Sequence, residues 1–333
     1  MTDLRPELTP LPRRLEPARP AADGTGMSHS DPASPALASS GLPQRRPASS
    51  GQPADGSLPR RTSAFHRVGR HRSVHRISVA SDAPALVIAV PGAGLDGDTD
   101  LAEHIAESAS ESCPGVAIRI GYLSGDTDTL ADVLGSDADA DAVSGRSPRA
   151  VVVPLLAGPH PVFDETITKV ISQAPGEILL AAPLGPHPLL AGALHDRLSQ
   201  VGLARASRAR GLNIAAGADG VIVVADRGPL AIRDAGLTTV LLAARLAIPA
   251  VPASFGDQAS IDAALARLRE AGAGHPAIAP CVIGPETDPA EVAALSDALG
   301  APCAEPLGAH PAVAQLVAVR YGEILAKMSA VAH

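Results

Sequence analysis

The chain reads as an α/β protein of two tandem domains, each a parallel sheet flanked by helices, behind a disordered N-terminal tail. Three observations predict this. From Ala83 onward, short β-branched apolar runs alternate strictly with longer amphipathic segments, the pattern of strands joined by crossover helices. That alternation then repeats, with its motifs in the same order. Ahead of it, residues 1–82 are Pro, Ser, Gly, Ala and Arg, with too few large apolar side chains to offset chain entropy.

Each element follows from local pattern. Strands are expected at 85–90, 116–122, 150–156 and 177–183, where Val, Ile, Leu and Ala run unbroken, as in strands buried on both faces. Helices are expected at about 99–110, 127–135, 163–173 and 188–201. A second set follows, with strands near 220–225, 248–253, 276–282 and 301–305 and helices near 231–246, 259–271, 288–298 and 311–328. Pro183-Leu184-Gly185-Pro186-His187-Pro188 recurs as Pro306-Leu307-Gly308-Ala309-His310-Pro311. Likewise 151–156 (VVVPLL) parallels 277–282 (AIAPCV), and 87–90 (VIAV) parallels 221–224 (VIVV). Ordered repetition of this kind marks a duplication. The domains are therefore read as 1–82 (tail), 83–207 and 208–333, with a ligand cleft between the halves.

Composition narrows the function. The chain has 333 residues, 46% hydrophobic but only 2% aromatic and without Trp, so the core is aliphatic and base-stacking platforms for nucleic acid are absent. Cys113, Cys281 and Cys303 stand alone, which suits a reducing cytoplasm better than a disulfide framework. No apolar run is long enough to span a bilayer, so no membrane partner is expected. Charge is lopsided: residues 1–82 hold 12 Arg against 7 acids, net +5, leaving −13 on the remainder of a chain whose total is −8. The Arg- and His-rich stretch 60–79 is read as a solvated tail, and 137–148 as an acidic loop.

Several motifs bear on chemistry. Gly92, Gly94 and Gly97 form G-x-G-x-x-G between a strand and a helix, the setting of a dinucleotide loop. Asp96, Asp98, Asp100 and Glu103 then crowd negative charge where a pyrophosphate would sit, so an acidic helix start is the stronger reading. The Asp-rich runs at 96–100 and 137–141 lack glycine at the sixth position of a calcium loop. His187 and His310 each precede a proline and look like duplicated turn devices. His104 and His195 fall within helical patterns, at the surface or its boundary. His160 is different. It follows a strand, lies between Pro159 and Pro161, and has Asp164 four residues on. Imidazole in such a loop can bind a metal ion or take a proton near neutral pH, with Asp164 orienting it.

Taken together, 84–90 (PALVIAV), 150–156 (AVVVPLL), His160 with Asp164, 182–190 (APLGPHPLL), 238–246 (TTVLLAARL) and 305–311 (EPLGAHP) resemble the sirohydrochlorin chelatase family of the CbiX/SirB type, in its long, duplicated form. The resemblance implies a lyase that inserts Co²⁺ or Fe²⁺ into sirohydrochlorin without ATP, toward cobalamin or siroheme. The metal is then a substrate, and no organic cofactor is needed. It implies His160 and Asp164 as catalytic residues and His160 and Asp126 as metal ligands. A sirohydrochlorin-like tetrapyrrole is the partner, and pairing of two chains as a homodimer is open. The chain departs from the family at Pro91, where the first His is expected, and at Tyr122, where an acid is expected. Gly284-Pro285-Glu286 occupies the second-half counterpart of the His160 loop. Two alternatives follow: a paralogue that binds tetrapyrrole or metal without turnover, and a nucleotide-binding α/β protein using Gly92–Gly97.

Overall fold

A computed structural model describes residues 83–94, 96–136, 148–204 and 217–331. The expectations placed on the tail, on the acidic loop and on the 207/208 boundary lie outside the described residues, apart from Pro148 at the end of the acidic loop.

Two parallel sheets form. In the first, β1 (Ala85–Val90), β2 (Ile118–Tyr122), β3 (Ala150–Pro154) and β4 (Ile178–Leu180) lie in the order β2-β1-β3-β4. In the second, β5 (Gly220–Ala225), β6 (Ala250–Ser254) and β7 (Pro276–Pro280) lie in the order β6-β5-β7. The first set of crossover helices is α1 (Asp96–Ser112), α2 (Leu130–Gly135), α3 (Pro161–Gln173) and α4 (Pro188–Gln200). The second is α5 (Pro229–Leu246), α6 (Gln258–Glu270), α7 (Pro289–Leu299) and α8 (Pro311–Val331). The predicted strand at 301–305 does not extend. Only an isolated parallel bridge, Ile278 to Cys303, forms beside β7. Pro302 and Pro306 bracket that bridge without N–H groups to continue a ladder.

Strand side chains alternate between two cores. Leu86, Ile88 and Val90 of β1 and Val221 and Val223 of β5 join one central cluster with α1, α4 and α8. Val87 and Ala89 face an outer core with Leu130, Leu134 and Ile167 of α2 and α3, and Ile222 and Val224 face another with Ile261, Ala264 and Leu268 of α6. The period of two along each strand thus feeds both faces with apolar surface.

The last helices of the two halves are exchanged. Helix α8 packs on α1 and β3, while α4 packs on α5 and β7. Arginines at matched places pin the exchange. Arg197 of α4 donates to Leu307 O (Nε 3.2 Å, Nη2 2.6 Å), and Arg320 of α8 donates to Pro183 O (2.8 Å) and Leu184 O (3.0 Å). Each thus clamps the other half's Pro-Leu-Gly turn. Tyr321, fully buried, donates its hydroxyl to Pro84 O at 2.7 Å, at the mouth of β1. His195 is also buried, contrary to expectation, because α4 is covered by α5 and α8; its Nδ1 accepts from Arg245 Nε at 3.3 Å.

Candidate functional site

Strand order places the site. From β1 the chain crosses outward to β2, then returns to the other flank of β1 as β3, so the loops after β1 and β3 diverge at a topological switch point. The loops after β5 and β7 do the same in the second sheet. Such points, at the carboxyl ends of parallel strands, are where ligands lodge. His160 follows β3 and Asp226 follows β5. They meet: His160 Nε2 lies 3.4 Å from Asp226 Oδ2, with both side chains nearly covered.

His160 is the N-cap of α3, with Pro161 in the first helical position. Its Nδ1 accepts from the backbone N–H of Phe163 at 3.3 Å, and its ring lies against the Phe163 ring with centroids 4.1 Å apart. An Nδ1 that accepts puts the proton of the neutral ring on Nε2, the side facing Asp226. His187 and His310 cap their helices in the same way, through Leu189 N and Ala312 N, both at 3.1 Å. The turn-device reading of those two therefore holds, and the same device fixes His160.

Asp164 does not orient the imidazole through a ring nitrogen. Its Oδ2 accepts from the backbone N–H of His160 at 3.1 Å, so it steadies the loop that carries the ring. Burial raises the Asp164 carboxyl, against the opposing pull of the His160 N–H and of its imidazole. Asp126 sits in the exposed loop between β2 and α2, and no hydrogen bond or ion pair of the described residues joins it to His160.

Two acids complete the neighbourhood: Asp226, which no motif pointed to, and Glu286 of the Gly284-Pro285-Glu286 loop. Asp226 Oδ2 is buried without a hydrogen-bond partner. Burial raises this carboxyl above its usual range, against the Arg227 N–H and the His160 and Arg227 charges. Glu286, in the β7–α7 loop, accepts from Ile283 N at 2.5 Å and Gly284 N at 2.8 Å. Burial is the main cause that lifts it to about 7, and the Asp226 charge adds to the rise. The ladders explain why these residues gather. Ala89 pairs with Pro154 and Val224 pairs with Pro280, so Asp226 stands in the second half where Pro91 stands in the first. Glu286 occupies the counterpart of His160.

Between them lies a cavity of about 10 Å³, lined by Asp226, Glu286, Cys281 and small side chains including Ala157, Gly158 and Ala225. That is room for about one water. A wider hollow of about 300 Å³ opens beside it, bordered by Arg227, Pro229, Ile232 and Phe255. Arg227 there grips both oxygens of Glu291 at 2.8 and 2.7 Å. Among the described residues, no three His, Cys, Asp or Glu side chains gather closely enough to form a metal site. The Gly92–Gly97 loop is filled from within: a Cβ at Gly92 would fall 2.6 Å from Asp98 Oδ2, so a carboxylate lies where a phosphate would be cradled.

Comparison with known proteins now bears on this arrangement. The CbiX family model matches residues 85–201, the stretch from β1 through α4. Residues 85–201 are a CbiX domain. The fold around it is that of SirB. SirB from Bacillus subtilis with Fe³⁺ aligns with a TM-score of 0.53 at 18% identity, over 74% of this chain and 97% of that one. The sirohydrochlorin chelatase SirB from Bacillus subtilis subspecies spizizenii, in complex with cobalt, aligns with a TM-score of 0.51 at 16% identity, over 72% and 94%. No protein of curated function matches the chain. His160 and Asp164 lie inside the CbiX domain; Asp226 and Glu286 lie beyond it. No helix among the described residues is long and apolar enough to cross a membrane.

Proposed function

We propose that the protein is a sirohydrochlorin chelatase-like enzyme, a lyase that inserts Co²⁺ or Fe²⁺ into a sirohydrochlorin-like tetrapyrrole in the cytoplasm. The observation that carries this reading is an imidazole at the switch point of a CbiX domain, facing a buried carboxylate at the switch point of the second sheet. Insertion exchanges one divalent ion for two pyrrole N–H protons, so the site must hand over a cation and receive protons. Imidazole does either. In this reading His160 binds the ion and takes a proton, Asp164 holds the His160 loop in place, and Asp126 is an outer acid on the path of the ion. The halves, read as 83–207 and 208–333, enclose the reacting centre at their junction. Because the enclosed space holds about one water, the macrocycle lies over the open side of the junction, toward the hollow beside Arg227.

The reading is tested by mixing the full chain with sirohydrochlorin and Co²⁺ or Fe²⁺ and following the macrocycle absorption. Metallation faster than the protein-free rate, lost in His160→Ala, is the expected result; a rate equal to the control refutes it. A second reading, tetrapyrrole or metal binding without turnover, is favoured by Pro91 and by the lack of a three-donor cluster among the described residues. It predicts a shifted spectrum with no metallation.

A further inference from the structure

Asp226 carries an inference that rests on the chelatase reading and takes it further. Buried polar oxygens almost always have a partner, and one that lacks it asks for an explanation, a missing ion among them. Asp226 Oδ2 lacks one although His160 Nε2 is only 3.4 Å away, because the pair does not meet hydrogen-bond geometry. An imidazole nitrogen and a carboxylate oxygen set side by side with no hydrogen bond between them can both serve one ion once the nitrogen gives up its proton. The spacing fits. Bonds of about 2.1 Å to imidazole nitrogen and carboxylate oxygen in a tetrahedral shell put the two donor atoms about 3.4 Å apart.

We propose that His160 Nε2 and Asp226 Oδ2 together receive the divalent cation, one donor from each half, with Asp226 supplying the ligand that proline at position 91 cannot. The duplication makes this compensation natural: the ladders put Asp226 and Pro91 at equivalent strand ends, and the exchanged helices hold the two sheets with their switch points face to face. Two protein donors leave the remaining positions to water and then to the ring nitrogens, as a site that must release its ion requires. The charge is matched locally. The Arg227 guanidinium is bound to Glu291, and Glu286 adds a second carboxyl beside Asp226. Ion binding moves the ring proton from Nε2 to Nδ1 and gives up the long 3.3 Å contact from Phe163 N–H.

The test uses Co²⁺ alone, titrated into the full chain and followed by calorimetry and by the visible absorption of the bound ion. Asp226→Asn and His160→Gln should each weaken binding by about 10–100-fold, the usual cost of removing a ligand or its support. Glu305→Gln, at an exposed carboxyl beside Arg197 and outside the site, should leave it unchanged. Circular dichroism establishes that each variant is folded, and the pairing of two independent substitutions guards against a misfolded one. Wild-type affinity in Asp226→Asn, or no Co²⁺ binding by the wild type, overturns the proposal. The two readings separate cleanly. Asp226-dependent Co²⁺ binding without metallation sinks the chelatase and keeps the cation site; full metallation by Asp226→Asn does the reverse.

Discussion

Replacing Tyr321 by Phe removes a single oxygen from the middle of the molecule and leaves shape otherwise unchanged. The hydroxyl donates to Pro84 O at 2.7 Å, and the side chain has no exposed surface. Burial pushes the phenol up to about 12, so it stays protonated and donates throughout the working pH range. The substitution forfeits a hydrogen bond worth about 1 kcal/mol and strands the Pro84 carbonyl in a dry place, for a total of about 1–3 kcal/mol. For a body of this size that is a fall in Tm of about 2–10 °C. Urea unfolding followed by far-UV circular dichroism measures the loss directly. Tyr321→Ala, which also empties the ring's volume, should cost about 3–5 kcal/mol. A loss below about 0.5 kcal/mol in Tyr321→Phe, or equal losses in the two variants, would refute the claim that this bond ties α8 to the start of β1.

Two further predictions use the site loops. Glu286 has a folded value of about 7 against an ordinary 4.5. Below about pH 4.5 it is protonated folded or unfolded and exerts no penalty; above 7 it is ionised in both states and the penalty is complete. Stability should therefore decline between those limits, by at most about 3 kcal/mol at 1.36 kcal/mol per pKa unit. The difference in urea midpoint between pH 5 and pH 8 should shrink in Glu286→Gln, and an undiminished difference would contradict the burial of this carboxyl. Gly185 packs against the site from behind: a Cβ there would strike the Ala157 carbonyl and fall 2.7 Å from Leu190 Cδ1. Gly185→Ala should cost about 2–3 kcal/mol in the same unfolding assay, and a neutral result would mean that the Ala157–Gly158 loop yields freely.

Much of this architecture could be read from residues alone because its signals are strong. Runs such as 85–90 and 220–225 are apolar throughout, and sheets covered on both faces demand that. His-Pro pairs announced the starts of α4 and α8, since imidazole can accept a backbone N–H while proline needs none, whereas the same pair at His160 starts α3 at Pro161, two residues before the expected 163. The failures have physical causes too. At 301–305 the prolines stop a strand that its apolar content suggested. Thr129 and Asp132 form a capping box that starts α2 at Leu130, three residues later than the pattern implied. His195 looked like a boundary residue because the exchange of α4 and α8, which buries it, is a tertiary event without a local signature. Asp226 was overlooked for a subtler reason. Matching 87–90 to 221–224 aligns it with Gly92, whereas the hydrogen-bonded registers move the match by one residue and set it on Pro91. The partner of His160 was therefore legible only once strand pairing was known.

The exchange of α4 and α8 has a consequence for dissecting the molecule. No cut in the chain releases one sheet together with all the helices that cover it. A fragment ending after α4 would lack the helix that blankets β3, and the complementary fragment would lack the one that shields β7. Each would expose oily surface alone, yet the two, mixed, should reassemble through the reciprocal arginine grips. The sequence repeats, but its two halves fold as one indivisible body.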